Sequence, residues 1–106
     1  MSLEVQERVV AFADRHELDA DPVYRILDLS AEVGEIAADA AKSTEYGTNP
    51  ESLSVNRDEL GDALFSLLLV ADAVDVDAGD ALDDALDKYE RRLEEVGSAG
   101  SDGYGP

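Results

Sequence analysis

The segment Leu60 to Val74 constrains this chain more than any other, because it is apolar almost all the way round, broken only by Gly61, Asp62, Ser66 and Asp72. A helix with that pattern belongs in a core and needs other elements wrapped around it. Two acids, Glu59 and Asp62, stand at its start. Carboxylates rooted in a buried helix are costly unless something cationic compensates them.

The rest of the chain supplies helices to do the wrapping. Val5, Val9 and Phe12, with Leu3 and Ala13 beside them, predict an amphipathic helix from about Leu3 to His16. Asp21-Pro22 reads as an N-cap followed by proline at the first helical position. From there Val23, Ile26, Leu27, Ser30, Val33, Ala37 and Ala40 mark the main apolar face of a helix running to about Thr44. Gly47, Asn49 and Pro50 break the chain. The third helix is expected from Ser54–Asn56 to Val74, with Asn56 and Glu59 at capping-box spacing. Asp77 is the expected N-cap of a fourth helix, whose stripe is Ala81, Leu82, Ala85, Leu86, Tyr89, Leu93 and Val96, and Gly97 supplies its stop. No stretch alternates with period 2, so the expectation is an all-α four-helix bundle. Apolar surface on the third helix exceeds what one chain covers, which predicts completion by oligomerisation, as a homodimer or homotetramer.

At 106 residues the chain makes one domain. It carries 26 acids against 8 Lys and Arg, a formal net charge of -18, and the basic footprint of a nucleic-acid or anionic-membrane binder is missing. The composition resembles that of proteins adapted to very high intracellular salt, where the Debye length is roughly 3 Å and self-repulsion is screened. There is no cysteine for a disulfide, a zinc ribbon or a thiol nucleophile. Neither a signal-peptide pattern nor an apolar run long enough for a membrane is visible, which leads us to expect a cytoplasmic protein.

With so many acids, a pair at i,i+3 spacing means little: Glu4/Glu7 and Asp80/Asp83 show it too. Location separates two pairs from the rest. Glu59 and Asp62 lie on a stripe continued by Ser66, Leu69 and Ala73, which faces a partner helix. Glu32 and Glu35 lie with Asp28 and Asp39 on a stripe opposite the main apolar face of the second helix, beside Gly34, where a backbone or ligand could come close. If the two helices pack antiparallel, both pairs converge, and oxygen-only ligands favour Mg²⁺ or Mn²⁺ over zinc.

The pairs stand as Glu32-Val-Gly-Glu35 and Glu59-Leu-Gly-Asp62, within Leu29–Ala37 and Asp58–Phe65, with Lys88-Tyr-Glu-Arg-Arg-Leu93 on the last helix. In this, roughly from Val23 to Leu93, the sequence resembles the MazG-type all-α nucleoside triphosphate pyrophosphatases, whose signature is ExxE, a spacer, then ExxD. Many members have a further acid directly before the ExxE, where this chain has Ala31. With that resemblance the helical part, 1–97, is expected to be a MazG-like domain, and the Gly/Ser-rich composition of 98–106 predicts a disordered tail. The resemblance implies hydrolysis of a nucleoside triphosphate between its α- and β-phosphates, giving a monophosphate and pyrophosphate. Glu32, Glu35, Glu59 and Asp62 would hold the metal, one carboxylate, with Glu35 as candidate, would take the proton from water, and Lys88 and Arg91 would contact phosphate. Lys42 and Arg92 rank below them.

Alternative readings are a phosphoribosyl-ATP pyrophosphatase of histidine biosynthesis and a non-catalytic acidic helical module. His16 reads as a surface or helix-end residue, and Tyr24 and Tyr46 as space-filling rather than base-stacking.

Overall fold

A computed structural model describes residues 4–96. Its elements are α1 (Glu4–Arg15), α2 (Pro22–Ser43), a single 3-10 turn (Pro50–Ser52), α3 (Arg57–Ala73) and α4 (Ala78–Val96), and there is no strand among the described residues. The expected all-α architecture of four helices is what forms. The stop at Gly97 and the tail over 98–106 lie outside the described residues.

Helix α3 is central, as its apolar wheel requires. Its Leu68 and Leu69, 1% and 5% exposed, form the bottom of the core. Helix α2 packs along one side of α3 and α1 along another. Phe12 of α1 meets Phe65 of α3 edge-on, with ring centroids 6.0 Å apart. The pairing of α2 and α3 is antiparallel. Ser54 N–H donates to Ser43 Oγ at 2.9 Å and Asn56 N–H to Asp39 Oδ2 at 3.0 Å, so the end of one helix lies beside the start of the other.

The ends of the helices use local chemistry. Asp21 occupies the N-cap of α2 without a side-chain cap bond, leaving Pro22 to set the start. Thr44, 7% exposed, closes α2: its hydroxyl donates to Ala40 O and accepts from Gly47 N–H, and Gly47 takes φ +87°. Asp77 caps α4 as expected, with Oδ1 accepting from Asp80 N–H at 3.0 Å. The capping box at α3 does not form in the expected way. Asn56 Oδ1 accepts from Asp58 N–H, and Glu59 turns instead toward α2.

One clamp was not legible in the sequence. Gln6, 8% exposed, donates from Nε2 to Val76 O at 2.9 Å and accepts at Oε1 from Ala78 N–H at 2.7 Å. A single buried amide thus ties α1 to the elbow between α3 and α4 and satisfies two backbone groups there.

Two surfaces depart from a closed bundle. Helix α2 turns Leu29, Glu32, Ile36 and Asp39 into half-buried positions, while Val23, Ile26, Leu27 and Val33 of its main apolar face are 48–65% exposed. Helix α4 has no extended packing on α1, α2 or α3, and Leu82, Leu86 and Leu93 of its stripe are more than half exposed. The radius of gyration is accordingly 16.5 Å, against about 13 Å for a compact chain of this length.

Candidate functional site

The antiparallel α2–α3 seam brings the acidic pairs together. Glu32 and Glu35 come from the middle of α2, and Glu59 and Asp62 from the first turns of α3. Each pair sits on one face because i,i+3 positions are neighbours on a helix. Across the seam, the charges of Glu35 and Asp62 act on both Glu32 and Glu59. The four carboxylates predicted from the sequence therefore share one electrostatic neighbourhood.

A fifth acid belongs to it. Asp39, one turn beyond Glu35, accepts the Asn56 N–H and is hydrogen-bonded to Glu59. Their mutual hydrogen bond raises one carboxyl and lowers the other. The hydrogen bond to Asp39, then burial, then the charges of Asp39, Glu35 and Asp62 push Glu59 up to about 7. In return the bond from Glu59, then that from Asn56 N–H, holds Asp39 below the usual aspartate range, helped by the charge of Lys42. We read this as protonated Glu59 donating to ionised Asp39. Burial first, and the charges of Glu35 and Asp62 next, raise Glu32 as well.

Glu32 Oε2 and Glu59 Oε2 are buried oxygens that receive no hydrogen bond. A buried carboxyl oxygen with no hydrogen bond is expensive, and these two stand on facing helices. Together with an all-oxygen donor set, they fit a hard divalent cation. The fit is one of chemistry rather than of finished geometry. Among the described residues no group of three or more Asp, Glu or His side chains is gathered closely enough to hold a metal ion.

The other expected residues are placed differently. Lys88 and Arg91 lie exposed on α4, and Lys88 Nζ sits 5.0 Å from the ring centroid of its neighbour Tyr89. Neither is among the groups whose charge acts on the acidic seam, whereas Lys42 is, through Asp39. Lys42, one turn from Asp39 on α2, is thus a basic residue whose charge reaches the seam. Gly34 is not held by any close approach, because a Cβ there would meet nothing within 4 Å. Tyr24 and Tyr46, 62% and 87% exposed, fill no interior space, which corrects the expectation for both. His16 ends α1 against Phe12, with ring centroids 4.5 Å apart, in the helix-end setting expected of it.

The sequence carried one signal for Asp39 that spacing alone could have used. It continues Glu32 and Glu35 at i+7 and i+4, on the edge that turns inward.

No described helix is long and apolar enough to cross a membrane. The profile of the MazG nucleotide pyrophosphohydrolase domain matches residues 24–97, more than two thirds of the chain. The match begins after α1 and takes in both acidic pairs, the seam between them and α4. No curated protein and no solved structure matches.

Proposed function

Because this chain belongs to the MazG nucleotide pyrophosphohydrolase family, we propose that it hydrolyses nucleoside triphosphates to monophosphate and pyrophosphate at the α2–α3 acidic seam, with Mg²⁺ or Mn²⁺ as cofactor. The observation that carries the reading is the pair of buried, unpartnered oxygens, Glu32 Oε2 and Glu59 Oε2, contributed by the two family motifs. Glu32, Glu35, Glu59 and Asp62 are the proposed ligands. When bound, the ion would neutralise phosphate charge and stabilise the charge developing at phosphorus.

The protein's own part is positioning and proton handling. The α2–α3 packing brings both acidic pairs to one seam, where a bound ion would draw their side chains together. Glu35, exposed at the rim of the seam, is the proposed acceptor of the proton from the attacking water. Asp39 holds the proton on Glu59 until that carboxyl is needed as an anion. Lys42 offsets negative charge at one end of the cluster, and Lys88 and Arg91 are proposed to contact substrate phosphates on the strength of their motif.

We propose also that the protein is a homo-oligomer, its bare apolar faces on α2 and α3 covered by another copy, and that it works in the cytoplasm at high salt. The enzymatic reading is tested by measuring pyrophosphate release from each NTP and dNTP with Mg²⁺ or Mn²⁺ at several salt concentrations. Absence of release under all of these conditions, with folded protein, would overturn it.

A further inference from the structure

We propose that the groove between α1 and α3 is the seat for α4 of a second copy. This builds on the proposed self-association but not on the enzymatic reading. The groove, of about 510 Å³, is floored by Val5, Val9, Phe12, Leu64 and Phe65, and bordered by Arg8 and Arg15. The α1 wall of the groove lies outside the segment that matches the family profile, and the α3 wall lies inside it.

Helix α4 suits the groove in shape. Leu82, Leu86, Tyr89 and Leu93 recur at alternating spacings of four and three, the 3.5-residue seam of a helix that packs lengthwise on others. That seam has no extended partner within its own chain. From Leu82 to Leu93 it spans about 16 Å, and from Val5 to Arg15 the groove spans about 15 Å, at 1.5 Å per residue.

Charge matches as well. Arg8 and Arg15 are one heptad apart, on one edge of the groove. Asp83 and Glu90 are also one heptad apart, each directly following a seam residue of α4. Both rows therefore repeat at about 10 Å and can pair in register. In a chain with 26 acids and only 8 Lys and Arg, two arginines flanking one apolar groove select an acidic amphipathic helix, and α4 is one.

Exposure calls for such a partner. Phe12 and Leu64 in the groove and Leu82, Leu86 and Leu93 on α4 are each 41–55% exposed, so both sides carry apolar surface left bare by their own chain.

The test uses two full-length variants, Arg8→Glu/Arg15→Glu and Asp83→Arg/Glu90→Arg, studied by sedimentation at about 0.1 M salt, where charges one Debye length apart still interact. All four positions are on the surface, and circular dichroism reports whether each variant keeps the parent helicity. Each variant alone places like charges in the seat and should self-associate at least about tenfold more weakly than the parent. Mixed one to one, each groove meets an α4 of opposite charge, and association should return. Should either variant alone associate as the parent does, or should the mixture fail to recover, the proposal is wrong. Failure to recover is also what an α4 folding back on its own chain would give. Pyrophosphate release is not part of the readout, so this result stands apart from the enzymatic reading.

Discussion

Asp39 and Glu59 face each other across the α2–α3 seam, and their mutual hydrogen bond pushes Glu59 up to about 7 while holding Asp39 below the usual aspartate range. The pair joins a residue outside the family's motif to one inside it. Below that midpoint, a proton on Glu59 removes one negative charge from the crowded seam.

Removing Asp39 should release that proton. In the metal-free Asp39→Ala protein, the Glu59 carboxyl should titrate well below its midpoint of about 7, because both the hydrogen bond and the largest neighbouring charge are gone. Carbon-13 NMR of the glutamate side chains reads this directly. An unchanged midpoint would mean that Asp39 is not the partner.

Stability should follow the same proton. The ordinary glutamate value is 4.5 and the folded value about 7, so the folded state binds the proton more tightly. The stability that Glu59 contributes is complete below pH 4.5, and is lost as pH rises through about 7. Metal-free protein should therefore melt at a lower temperature at pH 8 than at pH 6. The self-repulsion of the whole acidic chain acts in the same direction, so the Glu59→Gln variant is the control. Its melting temperature should fall less over that interval than the parent's does.

Substitutions in the tetrad should separate folding from chemistry. Glu35→Ala and Asp62→Ala should lower metal-stimulated pyrophosphate release by about a hundredfold or more, the scale of losing an electrostatic or proton-transfer group, with helicity nearly intact. Glu32→Gln should do likewise while raising the melting temperature of the metal-free protein, since it removes a buried charge among like charges. Full activity in any of the three would reject that residue's assignment.

Most of the helical architecture could be read from the sequence, because caps and periodicity are local signals. Asp77, Pro22 and the breaks at Gly47 and Pro50 set helix limits close to those observed. Which face packs was less legible. Val23, Ile26 and Val33 form the most apolar edge of α2 and were natural core residues, yet the fold turns Leu29 and Ile36 inward with the acids. The periodicity of one chain does not say whether a stripe is covered by that chain or by another. The same ambiguity hid the exposure of the α4 stripe. At the site, the motif pairs were legible, whereas Asp39 gained its role only from the register of α2 on α3. The capping-box spacing of Asn56 and Glu59 offered a competing role for Glu59, and the partner it takes instead, Asp39, lies across the seam.

Gly34 gives a cheap probe of the open side of the site. A Cβ there meets nothing within the chain, so Gly34→Ala should raise stability by about 1 kcal/mol through helix propensity. Thermal melts would show the gain. If activity falls while stability rises, the bare backbone beside Glu35 is used by the substrate.

Gln6→Ala should cost about 2–4 kcal/mol, since it strands the Val76 carbonyl and the Ala78 amide in a half-dry elbow. Denaturant unfolding measures it, and a loss below about 1 kcal/mol would mean that the clamp is ornamental.

That clamp has a consequence reaching past its own energy. Gln6 grips the chain two residues before α4 begins and again at its first residue, so it aims the arm much as a gimbal aims a rod. An amide near the front of the sequence thereby helps to hold the start of the last helix. Loosening it would scatter that helix's heading while every helix stayed wound, so assembly could be lost in a molecule whose circular dichroism looked untouched.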